Sequence, residues 1–119
     1  MLFKTKTKWY KAFDSQESAD KILKLNQPFY LLLEGKAFCV IKKEKGIFAM
    51  DDKCPHQGAS LSEGYCSNGE IVCPWHHYQF NIKNGRQAGG GGDYVNTHKV
   101  EVRDGAVFFG VERLSFLGF

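Results

Sequence analysis

With 119 residues, 43% of them hydrophobic and 24% charged, the chain has the composition of one globular domain and is too short for two independent ones. A formal charge of +3, with scattered lysines and no arginine-rich stripe, argues against a nucleic-acid partner. No stretch is apolar enough for a signal peptide or a membrane span, so the chain is expected in the cytoplasm, where cysteines at loop spacing more often bind metal than form disulfides.

In chain order, "DSQESADKILKL" predicts one short helix. Asp14 can cap it, Glu17 lies three residues on, and Ala19, Ile22 and Leu23 share a face. Asn26-Gln27-Pro28 is expected to end it. The remainder of the chain reads as short strands, in keeping with ten Phe and five Tyr. "FYLLLE" (29–34) and "AFCVIKK" (37–43) flank Gly35-Lys36 as a tight hairpin, and "GIFAMD" comes after a turn at Glu44 to Gly46. "EIVC" and "YQFNI" lie on either side of a loop rich in Cys and His, and Asn84-Gly85 is a turn. The glycines Gly89 to Gly92 require a loop. "HKVEVRDGAVFFGVE" is a hairpin through Asp104-Gly105. The apolar tail "LSFLGF" is expected to fold back on the core, or else to make a dimer or partner contact.

Two segments stand apart. The first, 54–64, is "CPHQGASLSEG"; the second, 73–80, is "CPWHHYQF". Each opens with Cys-Pro and places a histidine close by, giving Cys54-x-His56, sixteen residues, then Cys73-x-x-His76. Two thiolates and two imidazoles suit one tetrahedral zinc, or an iron–sulfur cluster taking one donor of each kind from each loop. A Cys2His2 zinc finger pairs Cys with Cys and His with His, the latter on a helix. Here each loop is mixed and no helix pattern comes after it, which suits a two-iron centre with two kinds of ends.

Cys-Pro-His followed by "GASLSEG", then Cys-Pro-Trp-His followed by aromatic-x-Phe, resembles the Rieske [2Fe–2S] family, most closely its small soluble ferredoxins, from about Trp9 to Val111. The resemblance implies an all-β fold of three small antiparallel sheets with one short N-terminal helix, spanning 1–119 as a single domain. The smallest sheet is the cluster-binding subdomain. It also implies that Cys54 and Cys73 hold an inner iron, while His56 and His76 hold an outer iron near the surface.

That ligand set has electronic consequences. Two ferric ions, two sulfides and two thiolates sum to zero charge when the imidazoles are neutral, whereas four thiolates would leave two negative charges. Histidine ligation therefore makes reduction easier. Reduction adds negative charge beside imidazole N–H groups, so the potential is expected to fall as pH rises in the alkaline range. High-potential relatives carry a disulfide between the loops, and a serine and a tyrosine that hydrogen-bond the sulfurs. The matching positions here are Ala59 and Trp75 for the disulfide, and Tyr78 and Phe80 for the hydroxyls, leaving backbone N–H groups as donors. The expected potential is therefore at the low end, on the order of −150 mV.

Some residues depart from the family pattern. His77 replaces a usual glycine; in extended backbone it would point away from His76, and at positive φ it would carry strain. The glycines 89–92 replace a third loop that usually contains proline, which implies a looser cover over the cluster. Cys39 reads as a buried small hydrophobe, Cys66 as a free thiol on the loop between the ligand segments, and His98 as structural.

The function implied is electron carriage, not catalysis, with a reductase as donor and a terminal oxygenase as acceptor. The alternative is a permanent Rieske-like small subunit of a larger reductase, such as assimilatory nitrite reductase. A redox-silent zinc module is a third reading.

Overall fold

The computed structural model describes residues 3–116, with side chains over 5–113. The elements in order are β1 (Phe3–Phe13), α1 (Gln16–Ile22), β2 (Phe29–Leu33), β3 (Lys36–Lys43), β4 (Gly46–Asp51), β5 (Tyr65–Ser67), β6 (Glu70–Val72), β7 (Gln79–Asn81), β8 (Thr97–Arg103) and β9 (Ala106–Phe116). All ladders between them are antiparallel.

β8 pairs with β9 on one side and, through Ala49↔His98 and Met50↔Thr97, with β4 on the other. The two larger expected sheets therefore join into the order β1-β9-β8-β4-β3-β2, while β5-β6-β7 stands as the small third sheet.

β3 lies between two cores, because alternate strand residues face opposite ways. Phe38 and Val40 join Tyr10, Phe13, Leu23, Val107 and Phe109 in one cluster. Cys39 and Ile41 join Met50, Leu61, Ile71 and Phe80 in the other, which lies under the two Cys/His loops. Each buried Phe, Leu or Ile contributes about 1.5–3 kcal/mol, so this floor gives the loops a rigid base. Cys39 is buried as expected, and burial pushes its thiol well above the usual range.

The helix differs from expectation at both ends. Ser15, not Asp14, is its cap: the Ser15 backbone is extended, its hydroxyl accepts the Ser18 N–H at 2.9 Å, and the Ser18 hydroxyl accepts the Ser15 N–H at 3.0 Å. Asp14 falls one position outside and pairs with Lys11 at 3.2 Å. The helix stops at Ile22 because Leu23 turns extended, well before Asn26. Ala19 and Leu23 are buried, but Ile22 is 47% exposed.

The β2–β3 turn is Glu34-Gly35 rather than Gly35-Lys36. Leu33↔Lys36 closes it, and both turn residues have positive φ, 49° and 83°. The Asp104-Gly105 turn is as expected, with φ 50° and 81°. The sequence pattern assigns no strand to the opening segment, yet β1 forms the longest ladder with β9. Trp9 explains why it docks: its ring lies over Gly110, where a β-carbon would come within 2.7 Å, and the Arg103 guanidinium lies 3.8 Å from the ring centre.

Cys66 lies on β5, not on a loop; it is half-buried against the second core, and its thiol is free. His98 is structural as expected, its Nε2 donating to Asp51 at 2.7 Å. The side chains from 114 onward and residues 117–119 lie outside the described residues, and with them the expectation for the apolar tail. Among the described residues no helix is long and apolar enough to cross a membrane.

Candidate metal centre

The two loops repeat one piece of backbone geometry. The Cys54 N–H donates to the Ala59 carbonyl at 2.8 Å, and the Cys73 N–H donates to the Tyr78 carbonyl, five residues on in each case and also at 2.8 Å. Proline after each cysteine offers no N–H to compete for these acceptors and fixes φ at the start of each bend. Gly58 (φ 76°) turns the first loop, and its N–H returns to the Cys54 carbonyl at 2.9 Å. His76 and His77 turn the second, both left-handed at φ 63° and 58°. The expectation of extended backbone at His77 is thus corrected, and the conditional expectation of strain there applies.

These bends sort the donors by depth. Cys54 and Cys73 are fully buried, His56 is half-buried and His76 is exposed. The two thiols interact with each other. Burial pushes the Cys73 thiol up and Cys54 adds to the rise, while the Trp75 backbone N–H donates to the sulfur and opposes it.

His56 is held on three sides. Nδ1 lies 3.9 Å from the Cys54 sulfur, the ring lies flat on Tyr78 with centroids 3.7 Å apart, and Nε2 lies 2.9 Å from the Asp93 carboxylate. The His76 ring meets Tyr78 edge-on at 6.4 Å and 65°. The structure therefore brings Cys54 into pairwise contact with Cys73 and with His56, and places His76 alongside His56 through Tyr78. His77 is exposed.

Two further residues build the site without being evident from the sequence pattern. Asp52 is buried two positions before Cys54. It accepts from the Ser60 hydroxyl, the Ser62 N–H at 2.6 Å and the Ser62 hydroxyl at 2.9 Å, which ties down the far end of the first loop. Its signal in the sequence is an acid upstream of "SLS". Gly64 completes that loop, because a side-chain carbon there would collide with the Val72 carbonyl just before Cys73.

Asp93 is the second. It comes after the four glycines, whose tip is a short 3-10 turn at Ala88–Gly90. The base of this third loop is pinned by the Gln87 N–H to the Asp93 carbonyl at 3.1 Å and by bridges Arg86↔Tyr94 and Phe80↔Gln87. The four glycines themselves are exposed.

The donors fit a cofactor with two unlike ends. Among the described residues no three Cys, His, Asp or Glu side chains gather around one point. The candidate donors stand in two ranks, sulfurs inside and imidazoles outside, as a two-iron centre with mixed ligands requires.

The likeness to known proteins agrees. The chain is 48% identical over 52 residues to apoptosis-inducing factor 3 of Mus musculus, covering 43% of this chain and 8% of that protein. It is 32% identical over 76 residues to the ferredoxin component of the alkene monooxygenase system of Xanthobacter autotrophicus, covering 63% of this chain and 62% of that one. The chain thus spans less than two thirds of the length of either relative. A chain of the solved complex of reduced oxygenase and oxidized ferredoxin in carbazole 1,9a-dioxygenase superposes with a TM-score of 0.70 at 26% identity, over 85% of this chain and 91% of that one. The Rieske [2Fe–2S] domain model matches residues 8–92, and the chain belongs to that family, whose cofactor is a [2Fe–2S] cluster.

Proposed function

We propose that this chain, acting as one unit over 1–119, is an electron carrier and not an enzyme, with Cys54 and Cys73 holding one iron of the cluster and His56 and His76 the other. The observation that carries this reading is the depth order of the donors: buried thiols on a rigid floor, then half-buried His56, then exposed His76. When bound, the cluster takes up and gives up one electron.

The chain's own residues set the conditions. The two cysteines must lose their protons to act as ligands, and burial resists this at Cys73. The Trp75 N–H aimed at that sulfur stabilises the thiolate form. The hydroxyls associated with high potential are absent: the position of one is filled by Tyr78, whose ring is stacked on His56, and that of the other by buried Phe80. The result is a potential at the low end, on the order of −150 mV.

A partner meets the imidazole face. Trp75, 51% exposed, and His77 flank exposed His76 there and offer a small patch suited to transient contacts. The likeness to oxygenase-system ferredoxins supports a reductase as donor and a terminal oxygenase as acceptor, rather than a place as a fixed subunit of a larger reductase. The proposed compartment is the reducing cytoplasm, where Cys39 and Cys66 stay free thiols and Cys54 and Cys73 stay reduced until ligated.

The test is analysis of the purified protein for metal and acid-labile sulfide, followed by redox titration monitored by EPR. The expected result is two irons and two sulfides per chain, a mixed-ligand signal on reduction, and a potential below zero. One zinc with no sulfide overturns the reading.

A further inference from the structure

The contact between Asp93 and His56 assigns a task to a residue outside the four donors. A neutral imidazole carries one N–H, and the nitrogen that bears it cannot bind a metal. An ionised carboxylate accepts and does not donate. The 2.9 Å contact between His56 Nε2 and Asp93 Oδ2 therefore puts the proton on Nε2 and leaves the lone pair on Nδ1, the nitrogen that faces the Cys54 sulfur.

Asp93 stands at the foot of the glycine turn, where the two ends of that turn meet. Asp93 is fixed through its main chain by Gln87 and by the neighbouring Arg86↔Tyr94 bridge. The His56 ring is fixed independently by stacking on Tyr78. The arrangement is also one-sided: among the described residues the histidine–carboxylate contacts are His56–Asp93 and His98–Asp51, and His76 has no such partner.

Resting on the ligand role proposed above for His56, we propose that Asp93 is a positioning residue that holds His56 in its Nδ1-binding form and, through its charge, makes that imidazole the stronger donor of the two. A carboxylate behind a ligating imidazole raises its basicity and is typically worth roughly tenfold or more in metal affinity or activity. An additional negative charge near the centre also disfavours adding an electron.

Two substitutions separate the hydrogen bond from the charge. Asp93→Asn keeps an acceptor opposite Nε2 and removes the charge, whereas Asp93→Ala removes both. In the cluster-loaded protein at pH 7, both variants should raise the midpoint enough to increase the ratio of reduced to oxidised centre several-fold at fixed ambient potential. Asp93→Ala alone should also alter the EPR spectrum of the reduced centre, because only it leaves His56 Nε2 without its acceptor. If Asp93→Ala loses its centre, Asp93→Asn carries the test through its midpoint. Midpoints unchanged within twofold in that ratio in the variants that keep the centre overturn the proposal. A wild-type protein without two irons and sulfide instead sinks the ligand reading, and that result is known before any variant is made.

Discussion

The ring of Tyr78 lies flat against the imidazole of His56, 3.7 Å between centroids and 7° from parallel, so the second loop supports a candidate donor of the first. The same ring meets His76 edge-on. Aromatic pairs of this kind contribute about 0.5–1.5 kcal/mol beyond their buried area, which converts to roughly two- to tenfold in a rate. Tyr78→Ala should therefore bleach in air about two- to tenfold faster than wild type, as monitored by the visible absorbance of the cluster. Tyr78→Phe keeps the stack and should bleach at the wild-type rate.

Asp52 ties the first loop to the end of β4 through three donors. Asp52→Ala leaves the Ser62 N–H without its acceptor and the Ser60 and Ser62 hydroxyls with only each other, at a cost of about 2–3 kcal/mol. For a chain of this length that lowers Tm by roughly 10 °C. Asp52→Asn keeps one acceptor oxygen and should lose less than half as much. Calorimetry of the two variants side by side checks the order.

His77 is held at φ 58°, where a β-carbon is disfavoured. His77→Gly should raise stability by about 0.5–1 kcal/mol, the relief of strain being partly offset by the greater freedom of glycine in the unfolded chain. Its visible spectrum should match wild type, because His77 has no ligand role in the proposed centre. Urea denaturation gives the first quantity and absorbance the second. A lost spectrum would reopen the choice of histidine.

Asp51 sets an acid limit. Burial raises its carboxyl, but hydrogen bonds from His98 and Lys36, with the His98 charge and Asn96, outweigh burial and hold it at about 2, against an ordinary 3.8. A folded-state value below the unfolded one stabilises the fold at pH above the unfolded value, and that contribution disappears as pH falls through the folded one. Discounted for solvent screening, it is about 1–2 kcal/mol. The stability gap between wild type and Asp51→Asn should be full near pH 6 and should close between pH 4 and 2 in acid denaturation curves.

The four candidate donors were legible because each Cys-Pro-His or Cys-Pro-Trp-His segment is local, and the hairpins were legible because Asp104-Gly105 and Asn84-Gly85 are local too. What escaped depends on separate segments meeting. Asp93 is one acid beside four glycines until the third loop folds over His56, and Tyr78 is merely aromatic until His56 lies on it. β1 escaped because its lysine–threonine alternation resembles a solvated segment, and its place comes from distant partners: Gly110 beneath Trp9, and the core around Tyr10 and Phe13. Asp14 and Ser15 can both cap a helix, and the choice fell to the residue whose backbone is extended. The β2–β3 turn moved by one residue because the pairing of Leu33 with Lys36 sets the register, not the glycine alone.

The matched 2.8 Å bonds at Cys54 and Cys73 bear on how fast the proposed carrier would work. A charge hop is slowed by every atom that must move to suit the new charge. With both sulfur-bearing residues clamped by their own main chain above a packed floor, little nuclear motion is left to accompany each hop. Small reorganisation of this kind is what lets a brief encounter suffice for transfer.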